Sequence, residues 1–142
     1  MTQRETEYKR LRRFGRRPVD AWRAADTITR FERAEDAELV RLSAEPEYIN
    51  YFDVYGEPEG YQDRDGRHHS ADDERAEIVA MIEDGGCWTV YTETLCPYCH
   101  EWRVVDSVGM CLGYHNVLDP AENWYVEDLM STALDELERA AC

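Results

Sequence analysis

Between Val19 and Phe31 the large and small apolar residues recur at three-residue steps: Trp22, Ala25, Ile28 and Phe31, just after Pro18. Such steps keep side chains on one helix face, and proline suits a first helical position, so the pattern predicts a helix from 18 to about 37. Upstream, Thr2 and Glu5 have capping-box spacing and Gly15 is a stop signal, which predicts a short basic helix over about 3–14. "LVRLSAEPEYINYFDVYG" is rich in β-branched and aromatic residues and broken by Pro46. It reads as two short strands, near 39–44 and 49–55. "GEPEGYQDRDGRHH" is polar, carries Gly56, Gly60 and Gly66, and reads as a long loop. Ser70 is placed to cap a helix over 71–84, with Ala76, Val79 and Ile82 inward and Gly85-Gly86 ending it.

The next segment changes period. In "CWTVYTETL" (87–95) Trp88, Val90 and Thr92 alternate with Cys87, Thr89 and Tyr91. "HEWRVVDSVGM" (100–110) alternates less cleanly, with Trp102, Val104 and Val108 on one side. The two form a predicted β-hairpin with Cys96-Pro97-Tyr98-Cys99 at its tip. Asp119-Pro120-Ala121-Glu122 reads as a helix start, and Tyr125, Leu129, Ala133 and Leu137 step by four along a last helix ending near Ala140. The predicted architecture is α+β: a small, mainly antiparallel sheet of three to four strands packed against about four helices, forming a single domain over 1–142 with a basic N-terminal helical segment at about 1–17.

Charge adds what the apolar pattern leaves out. Of 142 residues, 43% are apolar and 11% aromatic, a globular composition. The formal net charge of −15 is unevenly spread: residues 1–33 hold ten Lys and Arg against five acids, and the rest hold six against 26. So negative a body repels nucleic acid and anionic membranes and attracts basic partners. It could compete with a phosphate backbone for a cationic channel; solubility or adaptation to high salt would also account for it. No apolar run reaches the roughly 20 residues of a membrane span, and "MTQRETEYKR" lacks the apolar stretch of a signal peptide, so the expected setting is cytoplasmic. Five cysteines without a secretion signal suggest reduced thiols or metal.

"TETLCPYCHEW" carries the chemistry that most needs weighing. A strand followed by CPYC resembles the active site of the glutaredoxins, where the first cysteine gains nucleophilicity from a helix N-terminus. Too few residues follow Cys99 for the rest of that fold, and the valines of 104–108 favour strand over helix. Cys96, Cys99, Cys111 and His115 have the spacing of a four-ligand zinc site. The hairpin opposes it, because an extended 100–110 segment carries Cys111 roughly 30 Å from the tip at about 3.3 Å per residue. A hairpin turn with incidental thiols, no metal and no redox activity is the simpler expectation. "DRDGRHHSADDE" (63–74) has EF-hand length, but Arg67 and His68 stand where an oxygen ligand and a glycine are needed. Cys111 and His115 have the residue types of an activated thiol, adjacent only along the chain.

"YFDVYGEPEGY" (51–61) and "GMCLGYHNVLDPAENWYVEDLM" (109–130), with "GRRPVDAW" (15–22) upstream, resemble a family of small acidic proteins carried by phages and prophages of GC-rich bacteria. The resemblance implies that CPYC is a local variation, and by analogy of class it points to anti-restriction and anti-CRISPR inhibitors, several of which resemble DNA in charge. The expected function is therefore a non-enzymatic inhibitor, without cofactor. It would occupy the basic nucleic-acid-binding surface of a host defence protein, binding neither membrane nor DNA itself. The acids expected to carry the contact are Glu57, Glu59, Asp63, Asp65, Asp72, Asp73, Glu74 and Glu77, with Glu127, Asp128, Asp135 and Glu136 on the last helix. Any one of them alone is equally a solvated charge. Two alternatives remain: a zinc- or thiol-bearing protein using Cys96 and Cys99, and a nucleic-acid-binding regulator using the arginine-rich stretch "YKRLRRFGRRP".

Overall fold

The computed structural model of the protein describes residues 1–113 and 116–139. His115 and the expected helix end near Ala140 lie outside them. Thr2 accepts a hydrogen bond from the Glu5 amide and starts α1 (Gln3–Arg13). Pro18 opens α2 (Pro18–Asp36). There follow β1 (Val40–Pro46), α3 (Tyr51–Tyr55), β2 (Tyr61–Gln62), β3 (His68–His69), α4 (Ala71–Gly85), β4 (Cys87–Leu95), β5 (Trp102–Leu112) and α5 (Trp124–Arg139). The fold is α+β. An antiparallel sheet in the order β1-β4-β5 is accompanied by a small β2-β3 hairpin.

One face of the larger sheet is covered by helices. Leu42 stands opposite Thr92 and Ala44 opposite Val90, and this face meets α2 and α5. Phe31, Ile28 and Ala25 of α2, Val126 and Met130 of α5, and Leu11 of α1 form one buried cluster with Val40. The stepping-by-three of α2 thus marks the core face, with Trp22 at its edge, stacked on Tyr8 with ring centroids 3.9 Å apart. Thr92 is fully buried, and its hydroxyl donates to the Arg41 carbonyl at 3.1 Å, so the polar group inside the core has a partner. On the opposite face Arg41 makes a two-pronged pair with Glu93, at 2.9 and 3.0 Å, and lies over Trp102.

Five local expectations are corrected. Residues 51–55 are helix and not strand: Asn50 accepts from the Phe52 amide at 2.9 Å, and Gly56, at φ +80°, ends the turn. Tyr61–Gln62 and His68–His69 pair inside what reads as loop. The last helix starts at Trp124, because Asp119 caps a turn through the Ala121 amide and is drawn into an ion pair with Arg10. Shifts in the β4–β5 register break the alternation of β5, so Val105 and Val108 pack inward while Val104 is exposed. In α4, Ala76 is exposed rather than inward, and no residue of that helix is fully buried.

Candidate functional site

Acidic residues dominate the surface around α4 and the β2–β3 hairpin. Ser70 caps α4 by accepting from the Asp73 amide at 3.1 Å. Asp72, Asp73 and Glu74 fill the first turn, where carboxylates meet the positive end of the helix dipole. Glu74 turns back to accept the Gly60 amide at 2.9 Å. Asp63 accepts the amides of Asp65 and Arg67, at 3.0 and 2.9 Å, and so shapes the hairpin turn. These contacts give the 63–74 acids a role in loop geometry and helix capping.

A histidine joins the two elements. The His69 ring bonds Asp63 through Nε2 at 2.9 Å and faces Glu77 through Nδ1 at 3.4 Å. Tyr61 stacks flat on the ring and donates its hydroxyl to Glu77 at 2.7 Å. The hydrogen bond to Asp63, with the charges of Glu77, Asp63 and Asp73, raises the His69 pKa, while the same bond lowers that of Asp63. Tyr61 is pushed up to about 12, chiefly by its bond to Glu77.

A raised histidine contributes stability below its unfolded pKa of about 6.5 and loses it as pH rises through the folded value. Asp63 contributes above its unfolded pKa and loses it in acid. The His69 ring should therefore titrate above about 6.5, and Asp63→Asn should bring its midpoint down; NMR of the ring carbons over a pH series measures both.

The twelve expected contact residues divide by what they touch. Glu57 pairs with Arg75 at 3.0 Å, and Glu127 with Arg16 at 2.7 Å. With Asp63, Glu74 and Glu77, these five are engaged within the protein. Glu59, Asp65, Asp72, Asp73, Asp128 and Asp135 are exposed, and Glu136 is half-buried beside Leu137. The first four lie on and around α4, the other three on α5. They are two patches rather than one.

The basic segment is part of the packed body, with Leu11 fully buried. Arg4 pairs with Asp26, Arg10 with Asp119 and Arg30 with Glu138. Lys9, Arg12, Arg13, Arg17 and Arg23 stay exposed.

At the hairpin tip, β5 follows CPYC, so no helix N-terminus faces Cys96. Cys96 is only 6% exposed and is disulfide-bonded, which departs from the expectation of reduced thiols. Cys111 pairs in register with Trp88, at the end of the hairpin away from the tip, so the structure does not bring it to Cys96 and Cys99. Burial raises the thiol pKa of both Cys87 and Cys111. Among the described residues no cluster of three His, Cys, Asp or Glu side chains is arranged to hold a metal ion, and no helix is long and apolar enough to cross a membrane. The chain matches no protein-family model, no curated protein and no solved structure.

Proposed function

We propose that this is a non-enzymatic binding protein whose acidic surface occupies a basic, nucleic-acid-binding site on another protein. The observation that carries the reading is how the charges pair. Arginines of the basic N-terminal third are turned onto acids of the body, as in Arg10–Asp119 and Arg16–Glu127, while Asp65, Asp72, Asp73 and Glu59 remain exposed together around α4. A patch of exposed carboxylates beside a helix N-terminus offers negative charges to a site built for phosphates. The resemblance to phage-borne proteins is in keeping with a host defence protein as the partner, met in the host cytoplasm.

The test is competition. A partner captured from bacterial lysate should be released by duplex DNA and by high salt, while the protein alone binds no DNA. Tight binding of duplex DNA at physiological salt would overturn the reading and move the function to Lys9, Arg13 and Arg17.

Neutralising the patch with Asp65→Asn, Asp72→Asn and Asp73→Asn should slow association several-fold, an effect that fades at high salt because exposed charges are screened over about 8 Å at physiological ionic strength. Stopped-flow mixing over a salt series reads it. Glu77 is left intact in this variant, since it holds Tyr61 and His69. Loss of the dipole contacts of Asp72 and Asp73 should cost about 0.3–1 kcal/mol each, offset in part by weaker self-repulsion.

A further inference from the structure

A cleft of about 570 Å³ opens between α3, α4 and the end of the sheet where β1 leaves and β4 begins. That volume falls within the roughly 300–1,000 Å³ of ligand-accepting pockets. Its walls are apolar: Ile49, Tyr51, Phe52, Val79, Ile82 and Trp88. The helix facing it is under-packed, because α4 buries none of its residues fully and Val79 and Ile82 remain half-buried. In the chain segment that lines it, Tyr48 is 91% exposed, Ile49 60%, Val54 51% and Tyr55 61%. Clustered exposure of large apolar groups on this scale marks contact surfaces.

The charges at the cleft have one sign left over. Arg75 lies over the Phe52 ring at 4.4 Å and is paired with Glu57. Glu47, fixed by the Thr89 hydroxyl at 2.6 Å, and Glu83 are the remaining ionisable carboxylates on the lining. Asp53 and Glu45 stand exposed nearby along the chain.

We infer that this cleft docks a basic segment of a partner protein, seating an apolar anchor residue against Trp88, Val79 and Ile82 while Lys or Arg side chains meet Glu47 and Glu83. Charge complementarity selects the occupant. Nucleic acid is repelled by the carboxylates, and the chain segment that lines the cleft also exposes Tyr48, Val54 and Tyr55, more apolar surface than a small ligand would use. The inference rests on the reading of the protein as a binder of basic surfaces, and adds where the partner is anchored.

Two synthetic peptides of equal length and equal Arg/Lys content test it, one with a central Leu-Phe pair and one with Ser-Ser there. The readout is NMR of the Ile49, Val79 and Ile82 methyl groups and of the Trp88 indole N–H, which donates to the Gly85 carbonyl at 2.6 Å. The anchored peptide should bind about ten- to a hundredfold tighter and shift these signals. Val79→Ser should reduce its affinity to that of the serine peptide. Ile49→Ser, at an exposed position, should weaken it in the same direction and keeps the test open if Val79→Ser loosens α4. If both peptides bind equally in a salt-dependent way and the cleft signals stay still, the cleft inference fails and the acidic-binder reading stands. If neither peptide binds at low salt, both fail. An uncharged anchored peptide that binds as well as the charged one, or a dimer of the protein that Ile49→Ser dissolves, would also overturn the inference.

Discussion

Phe31→Ala should cost about 3–5 kcal/mol of folding stability. Phe31 heads the largest fully buried side chains among the described residues and is 1% exposed. It sits in the cluster that joins α1, α2, α5 and β1, so truncation leaves a cavity where these elements meet. The surrounding backbone is held by helix and sheet hydrogen bonds and can relax only partly. Domains of this kind have about 5–15 kcal/mol in total, so the variant should approach the threshold of folding. Chemical denaturation followed by circular dichroism measures the loss. Intact stability, with loss of partner binding instead, would show that the α2 stripe is a contact face.

Gly113→Ala should destabilise by about 1–3 kcal/mol, the cost of overpacking a site that cannot yield. A Cβ on Gly113 would lie 2.6 Å from the Gly85 carbonyl oxygen and 2.6 Å from Trp88 Nε1. Those two atoms are themselves bonded to each other, so relieving one contact strains the other. Gly113 also donates its amide to the Gly86 carbonyl at 3.0 Å, which fixes the backbone there. Gly109→Ala is the matched control: its Cβ meets Glu47 Oε2 at 3.6 Å and Thr89 Oγ1 at 3.7 Å, ordinary contact distances. The control should be neutral or slightly stabilising. Equal melting temperatures for the two variants would refute the close approach at Gly113.

The α+β layout was legible in the sequence wherever one period persisted. Alternation over 87–95 and the four-residue steps of Tyr125, Leu129, Ala133 and Leu137 each fall on the observed core faces. Short elements were not legible, because their signals are single residues. In α3 the strand-like "YFDVY" is overruled by one asparagine cap and one glycine stop. Asp119 has the form of a helix cap, but its carboxylate is claimed by Arg10 from 109 residues away, which no local pattern announces.

The same holds for the candidate site. Composition reveals that the surface is acidic, and not which acids are left over. Glu57, Asp63, Glu74 and Glu77 resemble their exposed neighbours in sequence, and only the folded chain shows that Arg75, His69, Gly60 and Tyr61 engage them. The partners of His69 lie on a turn and on a helix, and no local pattern announces that the three meet.

The arginine clasps across the molecule also set an order of assembly. Arg10 and Arg16 reach Asp119 and Glu127, 109 and 111 residues further along the chain. Loop-closure entropy makes such distant contacts late to form. On a ribosome, α1 and α2 emerge long before α5 is synthesised, so they wait with their apolar stripe uncovered. The β4–β5 hairpin, whose contacts are local, can form in the meantime and give them a surface to settle on. A nascent chain stalled before residue 119 should therefore bind holdase chaperones, and one that has released α5 from the exit tunnel should not.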